Sequence, residues 1–419
     1  MKREFVLFIF WIFLVFLFLN TKKVYPYFLE FWDKGREWLN PEMPFCSGVE
    51  ESEGVPANVG NLNRFLSSID NMAGLSGEDT DGYPIGDLLP KDYDFFWEEM
   101  RFINAPDYLR IPTYDGSGQA VHPDIVYFPQ GWQGYAYWMV FTPYPWSKRS
   151  FENPSIVASH DGFYWEVPPG LKNPIVERVN MGYHADPDLI YNQETNELWI
   201  YFMRFKDNKS YLFRIRSSDG INWTQPELIL WEPFFGMLSP SIVYREGVYH
   251  LWYVDSGRQG INASHTEVKY RTSYDGVNWS QASKVNINID GIQIWHLEVN
   301  YILSQGEFWM FFPGFKEGTS ADRTDLYFAR TNNPLNWTTL LSPVLTRGTG
   351  KIWDNTRIYQ TSFIYDEETQ EIHLWYSAGQ KVWKVFYIIP YPTYQWRIGY
   401  TSLKIPLVQR NIPDLRKNF

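Results

Sequence analysis

From about residue 118 onward, apolar and polar positions alternate with a period of two, the pattern of strands that bury one face. Five segments open alike: "HPDIVY" (122–127), "DPDLIY" (186–191), "SPSIVY" (239–244), "HLEVNY" (296–301) and "QTSFIY" (360–365), each ending in tyrosine. Each leads into a second apolar strand rich in aromatics: "YAYWMVF", "ELWIYFM", "YHLWYV", "EFWMFF" and "IHLWYS". A hairpin phrase then recurs as "IVASHDGFYWEV", "RIRSSDGINWTQ", "YRTSYDGVNWSQ" and the degraded "FARTNNPLNWTT". Its tryptophans, Trp165, Trp223, Trp279 and Trp337, are 58, 56 and 58 residues apart. A near-constant period with strands on both sides marks a repeat architecture. The predicted fold class is all-β: a five-bladed β-propeller over 118–405, with four strands per blade.

Asp-Gly suits a tight turn that needs positive φ, and the nearby Ser or Thr can bond the turn backbone. Asp161, Asp219 and Asp275 are therefore expected to be structural, with the following tryptophan packing between blades. The Asn-x-Ser/Thr triplets at Asn222, Asn278 and Asn336 are by-products of the same phrase.

The rest of the chain reads differently. Residues 4–19 hold the apolar run "FVLFIFWIFLVFLFL" between Lys2-Arg3 and Lys22-Lys23, and no small-x-small cleavage site follows. Residues 1–23 are thus expected to be an uncleaved signal anchor, with the rest of the chain on the extracytoplasmic side; secretion after cleavage is the alternative. Residues 24–117, with the polar stretch "CSGVEESEGVPANVGN", are expected to form an irregular stalk and cap, and 406–419 a tail.

Composition narrows the chemistry. A net charge of −11 without a basic patch argues against nucleic acid. One cysteine, Cys46, leaves neither an internal disulfide nor a thiolate metal cluster. Aromatics reach 19%, more than interblade packing needs; part of them suit stacking on sugar rings. The expected partner is a carbohydrate and the expected state a monomer.

Alternation puts positions one and three of each first strand on one face. Position one holds His122, Asp186, Ser239, His296 and Gln360; position three holds Asp124, Asp188, Ser241, Glu298 and Ser362, all polar. Innermost propeller strands ring the axis, so these side chains should converge on one pocket. Loops at the same end add Trp146, Glu152, His184, Arg204, Trp353, Asp354 and Arg357. The bland alternative is a water-filled channel whose acids satisfy one another and the backbone.

With these strand starts, the Ser-x-Asp-Gly-x-x-Trp hairpins and five repeats, residues 118–405 resemble the five-bladed propeller glycosidases of the arabinanase/xylosidase and invertase-like superfamily. The resemblance implies an Asp before Pro at a strand start as base or nucleophile, a second Asp as modulator and a Glu as general acid. Asp186 of "ADPDLIY" matches that Asp-Pro pattern; blade one has His122 before its proline, and no Glu-Gly-Pro motif is present.

The expected function is a membrane-tethered glycoside hydrolase with Asp186 as base or nucleophile, Glu298 as acid and Asp124 tuning both. Substrate would be held by His122, Glu152, His184, Asp188, Arg204, His296, Trp353 and Arg357. Asp186 and Glu298 lie on non-adjacent blades, which favours inversion. No cofactor is required and no metal ligand set is assigned; a structural calcium ion on the axis is compatible with the converging oxygens. Rival readings are a non-catalytic carbohydrate-binding propeller and a surface-assembly protein; phosphorolysis would need more basic residues than Arg204 and Arg357.

Overall fold

The computed structural model describes residues 93–287, 289–350, 352–386 and 389–409. The anchor at 1–23, the residues of the extension up to 92 and the tail from 410 lie outside the described residues. Among those described, no helix is long and apolar enough to cross a membrane.

Five antiparallel sheets follow one another along the chain, and a sixth, of two strands, pairs Tyr93–Phe95 with Leu407–Gln409. Blade 1 comprises Ala120–Trp132, Tyr135–Pro143 and Ser155–Ser159; blade 2 Gly182–Asn192, Glu197–Lys206, Lys209–Ser217 and Glu227–Pro233. Blade 3 comprises Leu238–Arg245, Val248–Asp255, Glu267–Ser273 and Ser283–Lys284. Blade 4 has Glu298–Ile302, Glu307–Lys316, Asp325–Asn333 and Asn336–Thr339, with Ile292–Ile294 paired to the far half of its second strand. Blade 5 is Arg357–Asp366, Glu371–Phe386 and Ile389–Lys404. The first strands touch in the cyclic order of blades 1, 2, 3, 4, 5 and back to 1. That closure makes the ring a propeller and leaves only short, protected inner edges.

The expectation of four strands in every blade needs correction. Blades 1 and 5 have three strands and blade 4 has five. In blade 1 the fourth strand shrinks to the single bridge Ala158↔Glu166. In blade 5 the outer edge is covered from earlier in the chain: Leu109 N–H donates to Ile398 O at 2.8 Å, and Thr401 Oγ1 donates to Ile103 O at 2.7 Å. Phe95, Met100, Phe102 and Ala105 pack into the core of blades 4 and 5. Residues 93–111 are therefore part of the propeller body, although their sequence carries no repeat.

The core is a ring of interblade layers. Ile125, Tyr137 and Met139 of blade 1 meet Trp375 and Ile398 of blade 5; Trp138 and Val140 meet Leu198, Ile200 and Phe202 of blade 2; similar clusters join blades 2 to 3, 3 to 4 and 4 to 5. The five sequence-aligned tyrosines are equivalent in register: Tyr127, Tyr191, Tyr244, Tyr301 and Tyr365 pair across the hairpin with Tyr137, Leu198, Tyr249, Phe308 and Ile372.

The hairpin phrase does what its chemistry suggests. Asp219 Oδ1 accepts from Ile221 N at 2.8 Å and Asn222 N at 2.7 Å, and Ser217 Oγ accepts from Gly220 N at 2.8 Å. Asp161 and Asp275 repeat the arrangement. The glycine has a second reason to be there. A neighbouring blade aims an aromatic ring at it: Trp375 at Gly162, Trp138 at Gly220, Tyr201 at Gly276. Trp375 Nε1 also donates to Gly162 O at 2.9 Å, and Tyr201 Oη to Gly276 O at 2.9 Å.

Candidate functional site

The polar positions of the first strands form two layers on the axis, and a bulge separates them. His122, Asp186 and Ser239 sit at φ 55°, 49° and 49°, where strand register also breaks. A left-handed non-glycine residue costs on the order of 1–2 kcal/mol, and bulges of this kind re-aim a side chain. Here they turn position one onto the axis.

The first layer is His122, Asp186 and His296. His122 Nε2 lies 3.0 Å and His296 Nδ1 4.0 Å from Asp186 Oδ1. Asp186 Oδ2 accepts from Ser239 N at 2.8 Å, which fixes the carboxylate. His122 Nδ1 is 2.8 Å from Thr142 Oγ1, turning its far nitrogen toward Asp186. All three residues are at most 2% exposed. Both ring nitrogens of His296 lack a hydrogen-bond partner, which is costly for buried polar atoms.

The second layer holds Asp124, Asp188 and Glu298, each offering a carboxylate oxygen within 4.8 Å of the others. This layer also ties blades together. Asp124 Oδ2 accepts from Leu189 N, Asp188 Oδ1 from Ile242 N at 3.1 Å, Ser241 Oγ from Val299 N at 3.0 Å and Ser362 Oγ from Ile125 N at 3.0 Å. A position-three side chain thus holds the next blade's backbone at four of the five junctions. The bland expectation of acids bonding the backbone holds for Asp124 and Asp188, while Asp188 Oδ2 has no donor.

Electrostatics follow from burial. Burial pushes Asp186 up to about 7 against the lowering contact of Ser239 N–H. It pushes Asp124 to about 6, opposed by the bonds from Leu189, Ser362 and Ile125. Asp188 and Glu298 are raised well above the carboxylate range, first by burial and then by their acidic neighbours. Burial and then the Arg357 charge pull His122 down to about 3, and burial with His122 and Arg357 holds His296 well below its ordinary value. Both imidazoles are therefore neutral, the form that ligates metals.

Loops build the surroundings. Glu152, 3% exposed, follows two short turns that include Trp146 and Ser147 at φ 54° and 61°. Burial raises its carboxyl well above normal, Arg149 lowers it and Asp186 raises it. His184 Nδ1 lies 3.0 Å from Asn153 Oδ1, and Arg204 Nε donates to His184 Nε2 at 2.8 Å. Arg357 stands over Tyr359 at 4.6 Å, and the Tyr359 ring is 5.1 Å from His122 and 4.6 Å from His296.

The structure thus gathers His122, Asp186, His296, Tyr359 and Arg357 in one neighbourhood, places Glu152 within the field of Asp186, and sets His184 and Arg204 beside Glu152, whose carbonyl accepts from His184 N. It sets Asp124, Asp188 and Glu298 in a separate layer. Trp353 and Asp354 go elsewhere: Trp353 Nε1 donates to Ala105 O at 3.2 Å, and Asp354 Oδ2 accepts from Asn104 Nδ2 at 2.7 Å and Tyr376 Oη at 2.9 Å. They fasten residues 104–105 to blade 5. Sequence reasoning missed Arg149, whose charge acts on Glu152, and Tyr359, whose ring lies against both histidines. Arg149 lies inside a loop already singled out, and Tyr359 is two residues from Arg357.

The His122–Asp186–His296 triangle fits a divalent ion. Tetrahedral bonds near 2.0–2.1 Å put ligand atoms about 3.3 Å apart, and the separations of 3.0 and 4.0 Å from Asp186 Oδ1 bracket that spacing. Two neutral imidazoles and a carboxylate form a borderline donor set suited to Zn²⁺-like ions, and an ion would engage one of the two orphaned nitrogens of His296.

No family model matches the chain. It is 31% identical to the A type blood N-acetyl-alpha-D-galactosamine deacetylase of Flavonifractor plautii, in a match covering 68% of this chain and 44% of that protein. The chain thus spans under half the length of that relative. A crystal structure of an N-acetylgalactosamine deacetylase from F. plautii, in complex with blood group B trisaccharide, superposes with a TM-score of 0.67 at 28% identity, covering 72% of this chain and 95% of that one. A glycoside hydrolase superposes at TM-score 0.51 and 12% identity over 75% of this chain and 95% of its own. The fold is that of the five-bladed propeller glycoside hydrolases.

Proposed function

We propose that this propeller acts on a glycan and removes the acyl group of an N-acylated amino sugar, with His122, Asp186 and His296 holding a divalent ion. The observation that carries the reading is His296: fully buried beside Asp186 and His122, with neither nitrogen engaged. The deacetylase of F. plautii, similar over most of the propeller, supports the substrate class.

A bound ion would supply Lewis acidity toward the acyl carbonyl and make its water a stronger nucleophile. The chain's own groups do the rest. Ser239 N–H and Thr142 hold Asp186 and His122 in place. Glu152 moves the proton: water adds to the carbonyl carbon, the C–N bond breaks, and the proton given up by water passes to the departing amine. Tyr359 packs against both histidines, and His184 with Arg204 supports the Glu152 segment.

A second reading is favoured by the raised Glu298 carboxyl and by the fold: cleavage of a glycosidic bond with inversion, Asp186 activating water, Glu298 protonating the leaving oxygen and Asp124 tuning both. One experiment separates the two. The full-length protein is given N-acetylhexosamine-terminated oligosaccharides, and free acetate and new reducing ends are measured, before and after chelation and with Zn²⁺, Mn²⁺ or Ca²⁺ restored. Deacylation predicts acetate without reducing ends, loss on chelation, recovery with metal, and no product from Asp186→Asn. Reducing ends with intact acetyl groups would overturn it in favour of glycosidic cleavage. Saturable glycan binding with neither product would leave a binding module. The proposed setting is extracytoplasmic, with residues 4–19 as the membrane tether.

A further inference from the structure

Arg357 is a buried cation without an acid. It is 8% exposed, forms no ion pair among the described residues, and its Nε has no hydrogen-bond partner. Guanidinium groups at such depth are ordinarily paired, because removing the charge from water is costly. Three rings take part of that load: Tyr359 at 4.6 Å, Trp396 at 5.5 Å and Tyr394 at 5.8 Å from the guanidinium carbon. Cation–π contacts of this kind offset part of that penalty, and they leave the in-plane N–H donors, Nε–H among them, without an acceptor.

The surroundings show why those donors are not used within the protein. Tyr359 touches the guanidinium on the one hand and both imidazoles on the other, so Arg357 adjoins the His122–Asp186–His296 cluster without joining it. Asp186 already has Ser239 N–H and the two histidines around it. Glu152 faces Arg149, whose charge lowers its pKa. Each acid near the site has other company, and the aromatic walls hold Arg357 in a fixed plane. A planar fork of donors presented edge-on matches a carboxylate better than a hydroxyl or a single carbonyl oxygen.

We propose that Arg357 is a specificity residue that receives the carboxylate of an acidic sugar, a uronic or sialic acid type unit, next to the sugar bound at the His122–Asp186–His296 cluster. This rests on the carbohydrate reading of the site and adds to it a substrate class, an anionic glycan.

The test is binding, read without turnover. The full-length protein is titrated by calorimetry at low salt with an N-acetylhexosamine–glucuronate disaccharide, the same disaccharide with its carboxyl converted to a methyl amide, and a disaccharide whose one charge is a sulfate. Wild type should prefer the uronate over its amide by about 10- to 100-fold, the range of a charge-assisted bidentate contact. In Arg357→Gln that ratio should fall toward one, and Arg357→Lys, which keeps charge but loses the fork, should retain part of it. Should Arg357→Gln fold poorly, the Lys variant carries the comparison alone. Equal binding of uronate and amide by wild type, an undiminished preference in the variants, or tighter binding of the sulfated sugar would each overturn the proposal. A uronate preference in a protein that releases no acetate would leave this inference standing and remove deacylation.

Discussion

Replacing Gly220 by alanine tests whether the repeated Asp-Gly pair is there for the turn or for the neighbouring blade. Gly220 sits at φ +72°, so any Cβ is strained, and that Cβ would lie 2.3 Å from Cη2 and 2.5 Å from Cζ3 of Trp138. Ordinary carbon contacts begin near 3.5 Å, so the indole must move by roughly 1 Å. It has little room: Trp138 is among the largest fully buried side chains, and its Nε1 donates to Trp132 O at 3.1 Å. Gly247 is the matched control, at φ +81° with nothing within 4 Å of its Cβ. Both substitutions carry a left-handed penalty of about 1–2 kcal/mol; only Gly220→Ala adds overpacking of about 1–3 kcal/mol. The expected losses are about 1–2 kcal/mol for Gly247→Ala and about 2–5 kcal/mol for Gly220→Ala, several degrees of melting temperature apart. Scanning calorimetry of the purified full-length chain reads the difference. A Trp138→Leu background should shrink the cost of Gly220→Ala to that of the control. Equal losses for the two alanines, or no relief by Trp138→Leu, would refute the interblade argument.

Two further outcomes follow from the same structure. Burial holds His250 down to about 4, with Nδ1 2.6 Å from Tyr270 Oη. Between pH 6.5 and about 4 the unfolded chain therefore takes a proton that the folded chain refuses, so stability is full above that window and falls as pH drops through it. Urea midpoints of His250→Phe should fall less steeply over this range than those of wild type, and identical slopes would contradict it. Deleting residues 1–23 should move the protein from the membrane fraction to the soluble one with its propeller folded; a truncated chain that still sediments with membranes would remove the tether.

What the sequence made legible is what local chemistry determines. A 56–58-residue period, tyrosine-terminated first strands and Asp-Gly turns each report on one blade, and each repeats. Trp353 and Asp354 show the opposite case. A loop of polar and aromatic residues after an inner strand looks the same whether it faces a ligand or fastens a distant segment. Here the distant segment is Asn104 and Ala105, about 250 residues earlier. Nothing local to 353–354 encodes that pairing. The same holds for residues 93–111, whose place on blade 5 depends on the edge that blade leaves open.

The division of the axial acids was hidden for a sharper reason. Strict alternation puts positions one and three on one face, and from that rule Asp186, Asp124 and Glu298 belong to a single pocket. The bulge at His122, Asp186 and Ser239 breaks the rule where it matters. Position three keeps ordinary strand geometry; position one of these three strands, in left-handed backbone, is turned toward its counterparts across the axis, where Asp186 still accepts from Ser239 N and Ser239 Oγ from Leu297 N. Proline after His122, Asp186 and Ser239 also removes the N–H that would otherwise need a partner inside the bulge. His296 joins the same cluster from a strand start followed by leucine, so the X-Pro bulge is one of two ways in which a first residue reaches its counterparts. The proline in "HPD" and "DPD" therefore follows a residue that joins the site, whereas Ser239 of "SPS", in the same bulged geometry, commits its hydroxyl to the backbone of the next blade at Leu297.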